Sequence, residues 1–201
     1  MTIQSPVPAS QRTRRDLMDA SVRLFAARGF ELTTVQEIVA EAGVTKGAFY
    51  HHFSSKDDVL FEIHEDFITS LLERTQVVLD RKLRPRQALA EIIREMLVSF
   101  EMFNEAVSVF LREHRSLSAE AHDRVRAKRD MYERMLIELI EEGIRVGDFR
   151  PLSNVRLVAF GINGMCVWAH EWFDPHKDLS ATKIAELYAD VVMNGLVATT
   201  E

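Results

Sequence analysis

Apolar residues recur along this chain every three or four positions, broken by glycine, proline or short polar runs, and each unbroken stretch predicts a helix. Leu17, Ala20, Ser21, Leu24 and Phe25 share one stripe of a helix predicted over 12–28, which Gly29 is placed to end. Thr33 or Thr34 can cap the next, with Gln36 or Glu37 three positions on closing a capping box, and Val35, Ile38, Val39 and Ala42 form its inner face. Gly43 permits a sharp turn, Val44 fills the corner, and Thr45 caps a third helix over 46–53. A long helix follows over 55–82, with Val59, Ile63, Phe67 and Leu71 on one face and Leu60, Phe61, Ile68 and Leu72 widening it. It would join the two halves of the chain. Further helices are predicted over 85–104, 106–114, 118–146, 153–173 and 180–197. In the helix over 118–146, Met131, Met135, Leu136, Leu139 and Ile140 are the expected inner face. The helix over 153–173 is apolar nearly all round, which calls for burial on both sides. The whole pattern predicts an all-α fold.

The stretch TTVQEIVAEAGVTKGAFYHHFSSK, residues 33–56, reads as a helix-turn-helix. On its second helix Phe49 and Phe53 point inward, which leaves Lys46, Gly47, Tyr50 and His51 outward. A glycine inside a short helix costs roughly 1 kcal/mol relative to alanine. That cost is understandable if the helix must lie close against a phosphate backbone. Arg12, Arg14 and Arg15 crowd a helix start, where the macrodipole disfavours cations, so either an arm reaches for phosphate or the minor groove, or the end is solvated and frayed. Residues 1–10, with Pro6 and Pro8, read as a disordered lead-in.

The stretch over 33–59, preceded by ARGFELTT, resembles the N-terminal signature of the TetR family of bacterial transcriptional regulators. The resemblance implies a three-helix DNA-binding domain over 1–56 and a helical effector-binding and dimerisation domain over 57–201. It implies a homodimer on a near-palindromic double-stranded operator, and repression relieved by a small molecule. Carried over by position, Thr34 would anchor to a phosphate, and Thr45, Lys46 and Gly47 would enter the major groove. Tyr50 and His51 would contact phosphates or base edges, and Lys56 would hold the backbone, with Arg14 as the arm contact. In this family the last two helices commonly form the dimer interface, where Trp168 and Trp172 are natural interface or pocket residues. A weaker resemblance, carried by LREHRSL and RDMYERMLIELIEEGIRVGDFRP, is to the subgroup that responds to acyl-CoA thioesters in fatty-acid and steroid degradation.

Charge and composition then limit the alternatives. The net charge of −6 is uneven: residues 1–56 hold seven basic and five acidic side chains, and the remainder hold 18 and 26. An acidic total therefore does not oppose DNA binding by the first part, because the local field matters. A single cysteine, Cys166, suits a reducing cytoplasm, and the N-terminus lacks the basic and apolar regions of a secretion signal. The apolar stretch over 155–173 carries Arg156, Asn163, His170 and Glu171, which argues against a membrane span.

No Gly-rich phosphate loop, nucleophile elbow or HExxH motif is present, so no enzyme, cofactor or metal is expected. The nearest approach to a metal cluster is His170 and Glu171 with His176, and Asp174–Pro175 interrupts it. What remains is binding without chemistry. Phe67, Phe100, Phe103, Phe110, Tyr132, Met135 and Trp168, with His114 and Asn163 as polar exceptions, are the expected lining of a small hydrophobic effector's site. Arg124, Arg126, Lys128 and Arg129 are either a solvated face or an anchor for an anionic effector such as coenzyme A phosphates. A hydrophobic drug or cation is the competing ligand class, and a helical enzyme or carrier with an incidental helix-turn-helix the competing function.

Overall fold

The computed structural model describes residues 9–173 and 179–196. Among them every regular element is helical: α1 (Ala9–Arg28), α2 (Val35–Glu41), α3 (Lys46–His52), α4 (Lys56–Asp80), α5 (Pro85–Met102), α6 (Asn104–Arg112), a 3-10 turn (His114–Ser116), α7 (Ala119–Arg145), α8 (Val155–Trp172) and α9 (Ala181–Leu196). The chain packs as two compact units, one made of residues up to Phe67 with Glu105–Arg124, the other of Ile68–Asn104 with Val125 onward. The division falls inside α4 and inside α7.

In the first unit, α1, α2 and α3 pack on one another. Leu17, Phe25, Phe30, Ile38, Val39, Phe49, Phe53, Val59, Leu60, Ile63 and Val109 make one buried cluster. The helical stripe read from the sequence is the reason: Leu17, Ala20, Ser21 and Phe25 are all buried on α1. Gly43, at φ +67°, makes the turn between α2 and α3 in a conformation that a side chain would strain. Val109, on α6, joins this core from far along the chain.

α1 begins at Ala9, three residues before its predicted start. Arg14 and Arg15 therefore sit beyond the first four N–H groups, with Arg12 at the last of them, and the conflict with the dipole is softened.

In the second unit, α5 lies along α9 and also meets α8. Ala88, Leu89, Ile92, Ile93, Met96, Leu97 and Phe100 give α5 a continuous buried face, and Pro85 occupies its first turn, where a missing N–H costs nothing. Arg84, just before α5, pairs with the buried Asp148 after α7. On α7 the buried row is Val125, Tyr132, Leu136, Leu139, Ile140 and Gly143. Met131, expected inside, is nearly half exposed; the neighbouring Tyr132 takes its place, about 100° round the helix.

Among the described residues, burial of α8 on both sides is not met. Only Ala159, Ile162, Cys166 and Ala169 are buried, while Leu157, Phe160, Trp168 and Trp172 are exposed. α5 and α9 cover only the first stripe. No described helix is long and apolar enough to cross a membrane.

Candidate nucleic-acid interface

Thr34 and Glu37 close the capping box at the start of α2: the Glu37 N–H donates to Thr34 Oγ1 at 3.3 Å, and the Thr34 N–H donates to Glu37 Oε2 at 2.8 Å. The Thr34 hydroxyl also donates to Oε2, at 2.9 Å. The Thr34 N–H, first among several causes, holds the Glu37 carboxyl below its ordinary value, with Arg28 adding to the effect at 2.9 Å. Thr45 caps α3 by accepting from the Ala48 N–H at 3.2 Å.

From that cap, α3 turns Phe49 fully inward onto Phe53 and leaves Thr45, Lys46, Gly47, Tyr50 and His51 exposed. Tyr50 is 52% exposed, and the Lys46 ammonium stands 5.9 Å from its ring centroid. A Cβ added at Gly47 would meet only Thr45 Oγ1, at 3.8 Å, so nothing in the protein itself demands a glycine there. These five residues form one outward surface on a short helix and its cap, able to present hydrogen-bond donors and a cation.

The other expected contacts are placed differently. Arg14 pairs with Glu62 on α4, and its guanidinium lies 5.4 Å from the Phe53 ring centroid. Lys56 Nζ donates to the Phe30 carbonyl at 2.7 Å and sits 4.1 Å from the Phe30 ring centroid. Both cations tie parts of the first unit together. His51 packs edge-on against His52, 5.0 Å between centroids.

The expected effector residues divide between the units. In the first, the ring centroids of Phe67 and Phe110 are 4.7 Å apart, and His114 Nδ1–H donates to the Leu111 carbonyl at 2.9 Å. His64, which no local pattern singles out, is wholly buried beside Phe110, with ring centroids 5.2 Å apart. Burial, the largest influence, pushes its pKa down against the opposing pull of the Leu60 and Phe110 carbonyls.

In the second unit, Tyr132 is buried with its hydroxyl 3.5 Å from Met96 Sδ, and Phe100 packs edge-on against His170. Phe100 and His170 border a narrow gap, also lined by Leu97, Ala169, Ala181 and Ile184, that has no room for a water molecule. Asn163 carries a buried Oδ1 without a hydrogen-bond partner, and Met135 is half-buried. Burial raises the Cys166 thiol to about 12, which keeps it an inert core residue. Phe103 and Trp168 do not join this group: Phe103 is exposed beneath the Arg74 guanidinium, and Trp168 is 66% exposed on α8.

Of the clustered basic residues, Arg124 lies over Phe61 and near Glu65, Lys128 donates to Thr69 Oγ1, and Arg126 and Arg129 face solvent. Among the described residues no group of three or more metal-ligating side chains converges; His176, part of the sequence-level metal candidate, lies outside them.

Comparison with known proteins decides what this arrangement belongs to. Residues 17–63 match the model of bacterial regulatory proteins of the tetR family, and residues 82–196 match the tetracyclin repressor-like C-terminal domain. The chain belongs to the TetR family. It is a transcriptional regulator, not an enzyme. The HTH-type transcriptional repressor KstR2 of Mycolicibacterium smegmatis is 30% identical over 191 residues, covering 94% of this chain and 93% of that protein. The solved structure of the ketosteroid transcriptional regulator KstR2 of Mycobacterium tuberculosis superposes with a TM-score of 0.87 at 25% identity, covering 98% of this chain and all of the other. That of AibR, in complex with isovaleryl coenzyme A and operator DNA, superposes at 0.78 with 27% identity, covering 92% and 97%.

Proposed function

We propose that this TetR regulator represses transcription by binding a near-palindromic operator as a homodimer, and that a small hydrophobic effector, an acyl-CoA thioester, releases it. The carrying observation is the outward row Thr45, Lys46, Gly47, Tyr50 and His51 on a capped helix, with open space around Gly47. Thr34, at the start of α2, is the phosphate anchor in this reading, and the open side of Gly47 is where DNA backbone approaches. Two such helices on a dimer would occupy successive major grooves roughly 34–36 Å apart. Residues 1–56 are the reading part and 57–201 the effector and dimer part.

The uncovered side of α8 and α9 supports the dimer. Leu157, Trp168, Trp172, Leu187 and Val191 are exposed apolar residues on these two helices, and a second copy would bury them. Phe100, Tyr132, Met135 and Asn163, all in the second unit, are the proposed effector contacts. The partnerless Asn163 oxygen favours a ligand carrying a hydrogen-bond donor such as an amide N–H. The gap beside Phe100 has no room for a water molecule, whereas ordinary ligand sites hold roughly 300–1,000 Å³, so effector entry requires side chains there to move. An acyl-CoA class agrees with the isovaleryl coenzyme A bound to AibR and with KstR2 being a ketosteroid transcriptional regulator.

The test is retention of a duplex selected from random sequence, with loss at high salt, followed by titration with long-chain or steroid acyl-CoA against free CoA. Release by the thioester at concentrations where free CoA is inert is the expected result. Indifference to every acyl-CoA discards the ligand class, and absence of sequence-specific retention discards the repressor reading.

A further inference from the structure

We infer that Glu113, which follows α6, is a positioning residue for operator binding, holding the helix-turn-helix in its reading orientation through the backbone of Phe30. The inference rests on the operator-binding reading above. Phe30 lies in the turn between α1 and α2, 4% exposed, its ring edge-on to Phe25 with centroids 5.3 Å apart. Its backbone is gripped at both ends. The Phe30 N–H donates to Glu113 Oε1 at 3.2 Å, and the Phe30 carbonyl accepts from Lys56 Nζ at 2.7 Å. Hydrogen bonds with one charged partner are roughly twice as strong as neutral ones, and here two of opposite sign act on a single residue.

The grip encloses the reading motif. Phe30 stands just before the Thr34 cap of α2, and Lys56 opens α4 just after α3. Lys56 thus joins the two ends of the motif, while Glu113 ties that junction to a segment 83 positions away. Glu113 is itself held, because Ser116 Oγ donates to its Oε2 at 3.3 Å. The same segment fastens α1 a second time: Arg112 donates to the Ala26 carbonyl at 3.3 Å, one of the carbonyls a helix C-terminus leaves without an internal partner. Val109 in the buried cluster and Leu117 packed against it anchor the segment on both sides of Glu113. Moving the junction between α1 and α2 away from this segment therefore requires the Glu113 bond to break.

The sign of the effect separates position from charge. An acidic side chain on a DNA-binding unit repels phosphate, so as a mere charge Glu113 would weaken association and its neutralisation would strengthen it. As a clamp, it acts through reach. Glu113→Asp keeps the charge and shortens the side chain by one methylene. Glu113→Gln removes the charge and keeps an oxygen that accepts the Phe30 N–H.

The experiment measures affinity of the full-length protein for a duplex that the unsubstituted chain retains, across a salt series, with thermal melting and amide exchange at Phe30. Glu113→Asp is expected to weaken binding by about tenfold, the loss of one charge-assisted hydrogen bond. The salt slope should stay unchanged because no phosphate contact is lost, and the Phe30 amide should exchange faster. Glu113→Gln, which keeps the acceptor but not its charge, should weaken binding by less than aspartate does. Aspartate binding normally, or glutamine binding more tightly while aspartate is neutral, overturns the inference and assigns Glu113 to charge alone. If the unsubstituted chain retains no duplex specifically, the operator reading falls, and this inference with it.

Discussion

At Gly143 an added Cβ would run into the ring of Phe149, which folds back from the turn after α7. Alanine would gain roughly 1 kcal/mol of helix propensity at this position. The ring is wholly buried and has nowhere to go, so overpacking should win, and Gly143→Ala is expected to lower stability by about 1–3 kcal/mol in denaturant melts. Combining it with Phe149→Leu should recover part of that loss. His64 makes a different kind of prediction. Its folded pKa is depressed by burial, so the unfolded chain binds the proton more readily, and stability falls as pH drops below about 6.5, the ordinary histidine value. Melting temperature should decline on acidification from pH 7, and His64→Leu should flatten that decline.

At the scale of elements, the caps are what make two seven-residue helices persist, since isolated helices of this length are marginal. Thr34→Ala removes both the acceptor for the Glu37 N–H and the hydroxyl that steadies the Glu37 carboxylate, and should cost about 1 kcal/mol of stability. The outward face of α3 behaves otherwise. Lys46→Ala and Tyr50→Ala touch exposed side chains, so melting and oligomeric state should stay unchanged while operator shift in a gel is lost. The boundaries of these elements were legible because glycine, threonine and serine punctuate them. The register of α7 was not: methionine and tyrosine are adjacent and both apolar enough to face inward, so only the neighbouring Met96 and α8 select Tyr132.

For the whole molecule, the uneven charge puts the excess of acid after Lys56 in sequence, outside the stretch proposed to meet DNA. The bare face of α8 and α9 carries the prediction at this scale. Trp168→Glu puts a charge into the proposed centre of a subunit contact and should yield a monomer by light scattering, with operator binding reduced because two linked reading heads become one. A dimer that survives this substitution together with Leu187→Glu would place the subunit contact elsewhere. The apolar character of α8 was plain in the sequence, but whether its second side meets this chain or another is decided only by what α5 and α9 leave uncovered.

By itself the sequence determined the helices, the helix-turn-helix and its outward row, because these depend on periodicity and on caps made by residues three or four positions apart. Thr34 with Glu37 and Phe49 with Phe53 are such pairs. Tertiary structure alone decided the partners of the charged residues. Arg14 and Lys56 look like free cations in sequence and prove to be tied to Glu62 and to the Phe30 carbonyl, and Glu113 looks like one more surface acid until it reaches the Phe30 N–H. Such contacts join residues 26 to 83 positions apart, and no local pattern encodes them.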